Sequence, residues 1–176
     1  LAAAHTTGLV IAHATLVLER EVVQNGAVLV RDGRIAAADG ILFCTPEYNR
    51  GVPGVLKNAI DVGSRPYGHS VFDKKPAAVI TASPGAIGGF GANHHLRQSC
   101  VFLNMPMMAQ PEAYLGNVTD DSFDADGCLK DGPLKEVVTK LAHAFHDWID
   151  MIQRSRQLLA EDAAHEEAAG KQPEPA

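Results

Sequence analysis

Apolar residues fall into two kinds of run along this chain, and the change comes at Asp39. Upstream, Leu9-Val10-Ile11-Ala12 and Thr15-Leu16-Val17-Leu18 are short, partly β-branched runs. Asn25-Gly26 and Asp32-Gly33 are tight-turn pairs flanking Ala27-Val28-Leu29-Val30. This pattern predicts short strands joined by hairpins over residues 1–38. Downstream, Gly40-Ile41-Leu42-Phe43-Cys44 and Ala77-Ala78-Val79-Ile80-Thr81-Ala82 are continuous runs, as expected of strands buried on both faces of a parallel sheet. Met107-Met108-Ala109-Gln110 predicts a third strand, stopped by Pro111.

Between these strands the period changes to that of helices. Val55, Leu56, Ala59 and Ile60 follow Pro53, which suits a first helical turn. A helix is expected over residues 92–103, with Leu96, Cys100 and Leu103 on one face. Leu134, Val137, Val138, Leu141, Phe145, Trp148, Ile149 and Ile152 form one stripe, the clearest helical signal in the chain. Residues 116–132, rich in Asp and Gly, read as loop. The Glu, Ala, Gln and Pro of residues 159–176 read as a disordered acidic tail. Strand and helix alternate from Gly40 onward, which implies an α/β layer fold with a parallel sheet. Ligands of such sheets bind beyond the carboxyl ends of the strands. Two unusual loops, residues 45–51 and 83–89, fall there.

Composition narrows the class. The 176 residues are 46% hydrophobic and 20% charged, a globular mixture. The net charge of −6 argues against a nucleic-acid partner. No apolar run is long enough to cross a bilayer, and the N-terminal residues lack the pattern of a signal peptide. Cys44, Cys100 and Cys128 have neither disulfide-framework nor zinc spacing, so a reducing cytosol is expected. His94-His95 lie about 100° apart on a helix and have no evident third ligand, which favours a non-metal role.

The two loops carry the candidate chemistry. Gly85, Gly88 and Gly89 would let the backbone approach a flat ligand and offer it N–H donors; a tight strand-to-helix turn would need them equally. Tyr48 offers a flat face and Asn49 a donor and an acceptor. Taken singly, Tyr48 could be a half-buried loop aromatic, Asn49 a turn residue and Glu47 merely solvated.

Together these residues resemble a family. Thr45-Pro46-Glu47-Tyr48-Asn49 with Val52-Pro53-Gly54-Val55-Leu56-Lys57-Asn58-Ala59-Ile60-Asp61 is similar to the signature of the NAD(P)H-dependent FMN reductases, the group that includes chromate and quinone reductases. Ala82-Ser83-Pro84-Gly85-Ala86-Ile87-Gly88-Gly89 resembles their second flavin loop, and His95-Leu96-Arg97-Gln98 and Gln110-Pro111-Glu112 follow in family order. The resemblance runs over residues 39–149. It implies a flavodoxin-like three-layer fold over residues 39–158, with FMN and NAD(P)H as cofactors. Pro46, Glu47, Tyr48, Asn49, Ser83, Pro84, Gly85, Gly88 and Gly89 would then line the flavin ring. Hydride would pass through FMN to a quinone, chromate, azo or flavin acceptor. Arg97 and Glu112 would join a subunit interface of a homodimer or homotetramer. No catalytic acid or base is implied.

Residues 1–38 depart from that family. Its opening strand, phosphate loop and helix are not recognisable, and a βαβ unit needs about 30 residues or more. Thr6-Thr7-Gly8 is the nearest candidate for the phosphate, but it precedes its strand. Leu9–Ala37 instead resembles the opening β-region of amidohydrolases, without their His-x-His metal motif. A β-hairpin region thus replaces the first βαβ unit. The alternative to a working reductase is a truncated or chimeric remnant that binds FMN weakly and serves as an interaction module or is inactive.

Overall fold

A computed structural model of the chain describes residues 8–17, 22–31, 34–35 and 39–170. The first part is antiparallel. β1 (Gly8–Val17) pairs with β2 (Val22–Arg31), and β2 with β3 (Arg34–Ile35). Arg31 stands opposite Arg34 across the expected Asp32-Gly33 turn, which itself lies outside the described residues. The turn expected at Asn25-Gly26 is corrected. Both residues lie inside β2, with Gly26 opposite Ala14 between two register shifts, so glycine there serves a strand irregularity.

The second part is the three-layer α/β fold. Its parallel sheet has the order β4 (Ile41–Pro46), β5 (Ala77–Ala82), β6 (Ala113–Leu115). β4 and β5 run in full register, from Ile41 opposite Ala77 to Pro46 opposite Ala82. Both strands therefore end at one level, and the loops that follow start side by side. β5 is buried along nearly its whole length, as its unbroken apolar run requires.

One face of the sheet carries α1 (Gly54–Gly63) and α2 (Phe90–Phe102), which bury Ile60, Leu96 and Cys100 against Phe43, Ala77 and Val79. The other carries α3 (Pro133–Gly170), which lays Leu141 and Phe145 on Ala78, Ile80, Met108 and Leu115. Trp148 anchors α3 by donating Nε1–H to the Pro106 carbonyl at 2.9 Å. No helix among the described residues is long and apolar enough to cross a membrane.

Four expectations change. Pro53 is the residue before α1, with φ −55° and ψ 139°, rather than in its first turn. Val55 is 83% exposed, because Leu56 and Ile60, four residues apart, form the inward stripe and Val55 lies about 100° away. The third strand is broken. Met107 makes a single bridge to Ala77, the Met108 carbonyl is taken by the Arg97 guanidinium at 3.0 Å, Pro111 has no N–H, and the ladder resumes only at Ala113. Finally, α3 continues through residues 159–170, where a disordered tail was expected. Leu, Ala and Glu are strong helix formers, and they continue a helix already nucleated on the sheet.

Candidate functional site

The loop after β4 closes on itself. Tyr48 N–H donates to Gly51 O at 3.1 Å and Gly51 N–H to Tyr48 O at 3.0 Å. Asn49 (φ 51°) and Arg50 (φ 65°) fill the two left-handed positions of this two-residue turn. Asparagine tolerates that conformation better than other non-glycine residues, so the backbone alone explains Asn49. Tyr48 is left 63% exposed, beside exposed Pro46 and Asn49.

The loop after β5 is pinned from behind. Ser83 N–H donates to Leu115 O, Val118 N–H to Ser83 O, Gly88 N–H to Gly85 O and Asn117 N–H to Gly85 O, all between 2.9 and 3.3 Å. Ser83 Oγ accepts from Gly85 N–H at 3.1 Å. Among the described residues, Ala86 and Ile87 N–H have no internal acceptor. Ser83 and Pro84 border them, and residues 84–87 are exposed.

The three glycines divide by role. Gly88 has φ +64°, and a Cβ there would stand 2.6 Å from the Tyr114 carbonyl carbon. Gly89 has φ +82°, and its Cβ would meet Thr81 Cβ at 2.8 Å. Both are buried and required by the turn into α2. Gly85 has no such strain, and its Cβ would meet nothing nearer than Ser83 Oγ at 3.5 Å. Of the three, only Gly85 is exposed and has room for a side chain.

Glu47 faces the other way. Its side chain is 11% exposed, and Oε2 accepts the Ala92 N–H at 2.9 Å in the first turn of α2. Arg50 Nη1 lies 3.9 Å from Oε1 and is mostly exposed, so that ion pair adds little.

Arg97 and Glu112 are both half-buried. Arg97 Nε donates to Asn93 Oδ1 at 2.9 Å, and Nη1 to Met108 O at 3.0 Å; its buried Nη2 has no hydrogen-bond partner among the described residues. No ion pair within 4.0 Å joins Arg97 to Glu112 there. The two meet through the field at Tyr114. Desolvation first, then the nearby Glu112 carboxylate, push the Tyr114 phenol up to about 12, against the opposing pull of Arg97. His94 Nε2 lies 3.1 Å from the Tyr114 hydroxyl, and Phe90 packs on both rings with centroids 4.1 and 5.4 Å away. Phe90, Tyr114, Gly91 and Gly116 escaped the sequence reading, and His94 was read only as having a non-metal role. The glycines follow no motif, and the rings meet only once β6 is placed beside α2.

The site is a shelf. The grooves found among the described residues lie elsewhere: one along α3 at Met151, Arg154 and Leu158, another between α1 and α2 at Lys57, Arg65 and Phe102. The ring half of FMN fits the shelf, with two unsatisfied donors, an open glycine and a flat aromatic at the carboxyl ends of adjacent parallel strands. Of the expected phosphate candidate, Thr6 and Thr7 lie outside the described residues.

A parallel sheet between two helical layers, with such a shelf at its carboxyl edge, defines an α/β protein of the flavodoxin-like class. Residues 15–120 match the family NADPH-dependent FMN reductase, and the chain belongs to that family. The match begins inside β1, upstream of the Asp39 boundary read from the sequence. The chain is 55% identical over 117 residues to a quinone reductase of Pseudomonas putida (strain KT2440), covering 66% of this chain and 62% of that protein. It is 43% identical over 116 residues to a 2-hydroxy-1,4-benzoquinone reductase of a Burkholderia species, covering 66% and 63%. A solved flavoenzyme, the NAD(P)H:(acceptor) oxidoreductase FerB of Paracoccus denitrificans, superimposes with a TM-score of 0.61 at 41% identity, over 65% of this chain and 63% of that one. The chain thus spans less than two thirds of the length of these relatives.

Proposed function

We propose that the chain is an NAD(P)H-dependent flavin oxidoreductase that passes a hydride through FMN to a quinone. The carrying observation is the pair of unsatisfied N–H groups at Ala86 and Ile87, beside exposed Tyr48 and unstrained Gly85. The relatives named as quinone reductases support the acceptor class; chromate, an azo dye or free flavin is the alternative acceptor at the same shelf.

Bound FMN supplies the hydride chemistry. The protein's part is placement. Pro46, Tyr48 and Asn49 form one side of the ring site and Ser83, Pro84 and Gly85 the other. Ala86 and Ile87 N–H donate to ring carbonyls, and Gly88 and Gly89 hold the turn behind them. Arg97 and Glu112 serve a subunit interface in a homodimer or homotetramer, supported by the unpartnered Arg97 Nη2. Cys44 and Cys100, neither of them in a disulfide, support a cytoplasmic setting.

A second reading is favoured by one observation: where a βαβ unit would place the phosphate loop, the chain has antiparallel β1 and β2. On that reading the ring site persists but FMN binds weakly, and the chain is a truncated or chimeric interaction module. The antiparallel strands also support an amidohydrolase-like origin of residues 9–37, while the family match from residue 15 speaks for common descent with the rest.

Titration of the apo-protein with FMN and with riboflavin, followed by flavin fluorescence, tests both readings. A working phosphate site gives FMN an advantage of about a hundredfold, because two charge-assisted hydrogen bonds of about 1.5 kcal/mol each correspond to that factor. Equal affinities support the second reading. No binding of either flavin refutes the ring site. NAD(P)H oxidation stimulated by a quinone then establishes turnover.

A further inference from the structure

α2 begins at a residue that cannot cap it. The turn from β5 requires φ +82° at Gly89, and glycine has no side chain to accept the first N–H groups of the helix. No residue of its first turn is acidic. The acceptor comes instead from 45 residues upstream, where Glu47 Oε2 takes the Ala92 N–H. The sequence makes room for it at Gly91, where a Cβ would stand 2.8 Å from Glu47 Oε2 and 2.8 Å from the Arg50 carbonyl oxygen.

We propose that Glu47 is a positioning residue, a tertiary cap that locks loop 45–51 onto the first turn of α2 so that it and loop 83–89 meet a flat ligand as one rigid shelf. The consequence for FMN rests on the function proposed above; the lock itself does not. Among the described residues, Glu47 is the one side chain of loop 45–51 that hydrogen-bonds α2, the helix into which loop 83–89 leads, and its burial keeps the carboxylate off the shelf surface. It therefore acts on a ligand through loop geometry and the negative charge at the helix N-terminus. Gly91 is the matching requirement, since any side chain there displaces the carboxylate.

Hydrogen exchange of the flavin-free protein, paired with FMN titration, tests this. In Glu47→Ala the Ala92 and Gly51 amides exchange faster together, and FMN binds about tenfold to a hundredfold more weakly, the range of one charge-assisted hydrogen bond. Glu47→Gln keeps an acceptor and restores Ala92 protection and most of the affinity; a role in bulk stability alone would shift melting without this recovery. Gly91→Ala, with Glu47 intact, reproduces the loss. Unchanged Ala92 exchange in Glu47→Ala overturns the lock, and faster exchange with unchanged FMN affinity overturns its control of the ligand. Should the unaltered protein bind no flavin, the function proposed above fails alone. Concerted or independent exchange at Ala92 and Gly51 would then still decide for or against the lock.

Discussion

Gly85→Val separates ligand access from folding. Gly85 is exposed, has no positive φ, and offers a Cβ open space up to Ser83 Oγ at 3.5 Å. The substitution therefore costs folding less than about 1 kcal/mol, since surface changes away from caps and strain stay near ±0.5 kcal/mol. A branched side chain there occupies exposed space next to Ala86 and Ile87, whose N–H groups the function proposed above assigns to the ring. Removing two neutral hydrogen bonds of about 1 kcal/mol each, with some ring contact, weakens FMN by roughly 2–3 kcal/mol. That is about 30- to 150-fold in Kd at about 1.4 kcal/mol per tenfold. Flavin fluorescence titration reads the affinity, and thermal unfolding of the apo-protein reads the fold. An unchanged Kd at an unchanged melting temperature would remove loop 83–89 from the site. A weaker Kd accompanied by a large drop in melting temperature would refute the claim that Gly85 is free of structural duty.

Gly88→Ala is the counterpart. A Cβ 2.6 Å from the Tyr114 carbonyl carbon at φ +64° costs about 2–5 kcal/mol of strain and overpacking, seen as a lowered melting temperature before any ligand is added. Leu141→Ala, at a side chain 1% exposed between α3 and the sheet, costs about 2–5 kcal/mol in chemical denaturation. In an ultraviolet titration Tyr114 ionises near pH 12, and Tyr114→Phe removes that step. Because the folded pKa is raised, the stabilisation linked to Tyr114 is complete below its unfolded value near 10 and is lost as pH rises through about 12, so the variant's stability falls less across that window. Glu112→Gln lowers that step, since the negative charge of the carboxylate disfavours the phenolate.

Elements whose hydrophobic period agreed with their final burial were legible. β5 is a continuous apolar run buried along nearly its whole length, and the stripe from Leu134 to Ile152 could only be a helix lying on a sheet, whereas β4, expected to be buried on both faces, lies at the sheet edge among the described residues with Cys44 exposed. The two loops were legible as a place because parallel strands in register leave their carboxyl ends level. What failed needed a partner from another part of the chain. Asn25-Gly26 has turn chemistry, yet sits within β2 because the pairing with β1 overrides it. The run Met107-Met108-Ala109-Gln110 reads as strand, but Arg97, eleven residues before Met108, takes a carbonyl the ladder would use. Glu47 reads as a ring contact or a solvated carboxylate, and its acceptor role becomes visible only when Ala92 is beside it. Three glycines in one loop look alike in sequence, and neighbours from β6 set Gly88 apart from Gly85.

The shelf owes its readiness to atoms that never face the ligand. Gly116 lies so close behind loop 83–89 that a Cβ there would stand 2.4 Å from the Ala86 carbonyl oxygen, and the Ser83, Gly85 and Gly88 backbone groups are engaged with each other or with residues 115–118. With those groups fixed, the Ala86 and Ile87 N–H groups are held in place without acceptors. A ligand that reaches them pays little ordering entropy, which is the general source of affinity in a pre-formed site. All of these supports belong to residues 39–170, within the three-layer part of the fold. On the function proposed above, ring recognition therefore rests on residues 39–170 alone, and the two halves of FMN can be tested one at a time. A protein in which riboflavin binds and Gly85→Val abolishes that binding has a complete ring site, whatever advantage FMN then shows or lacks.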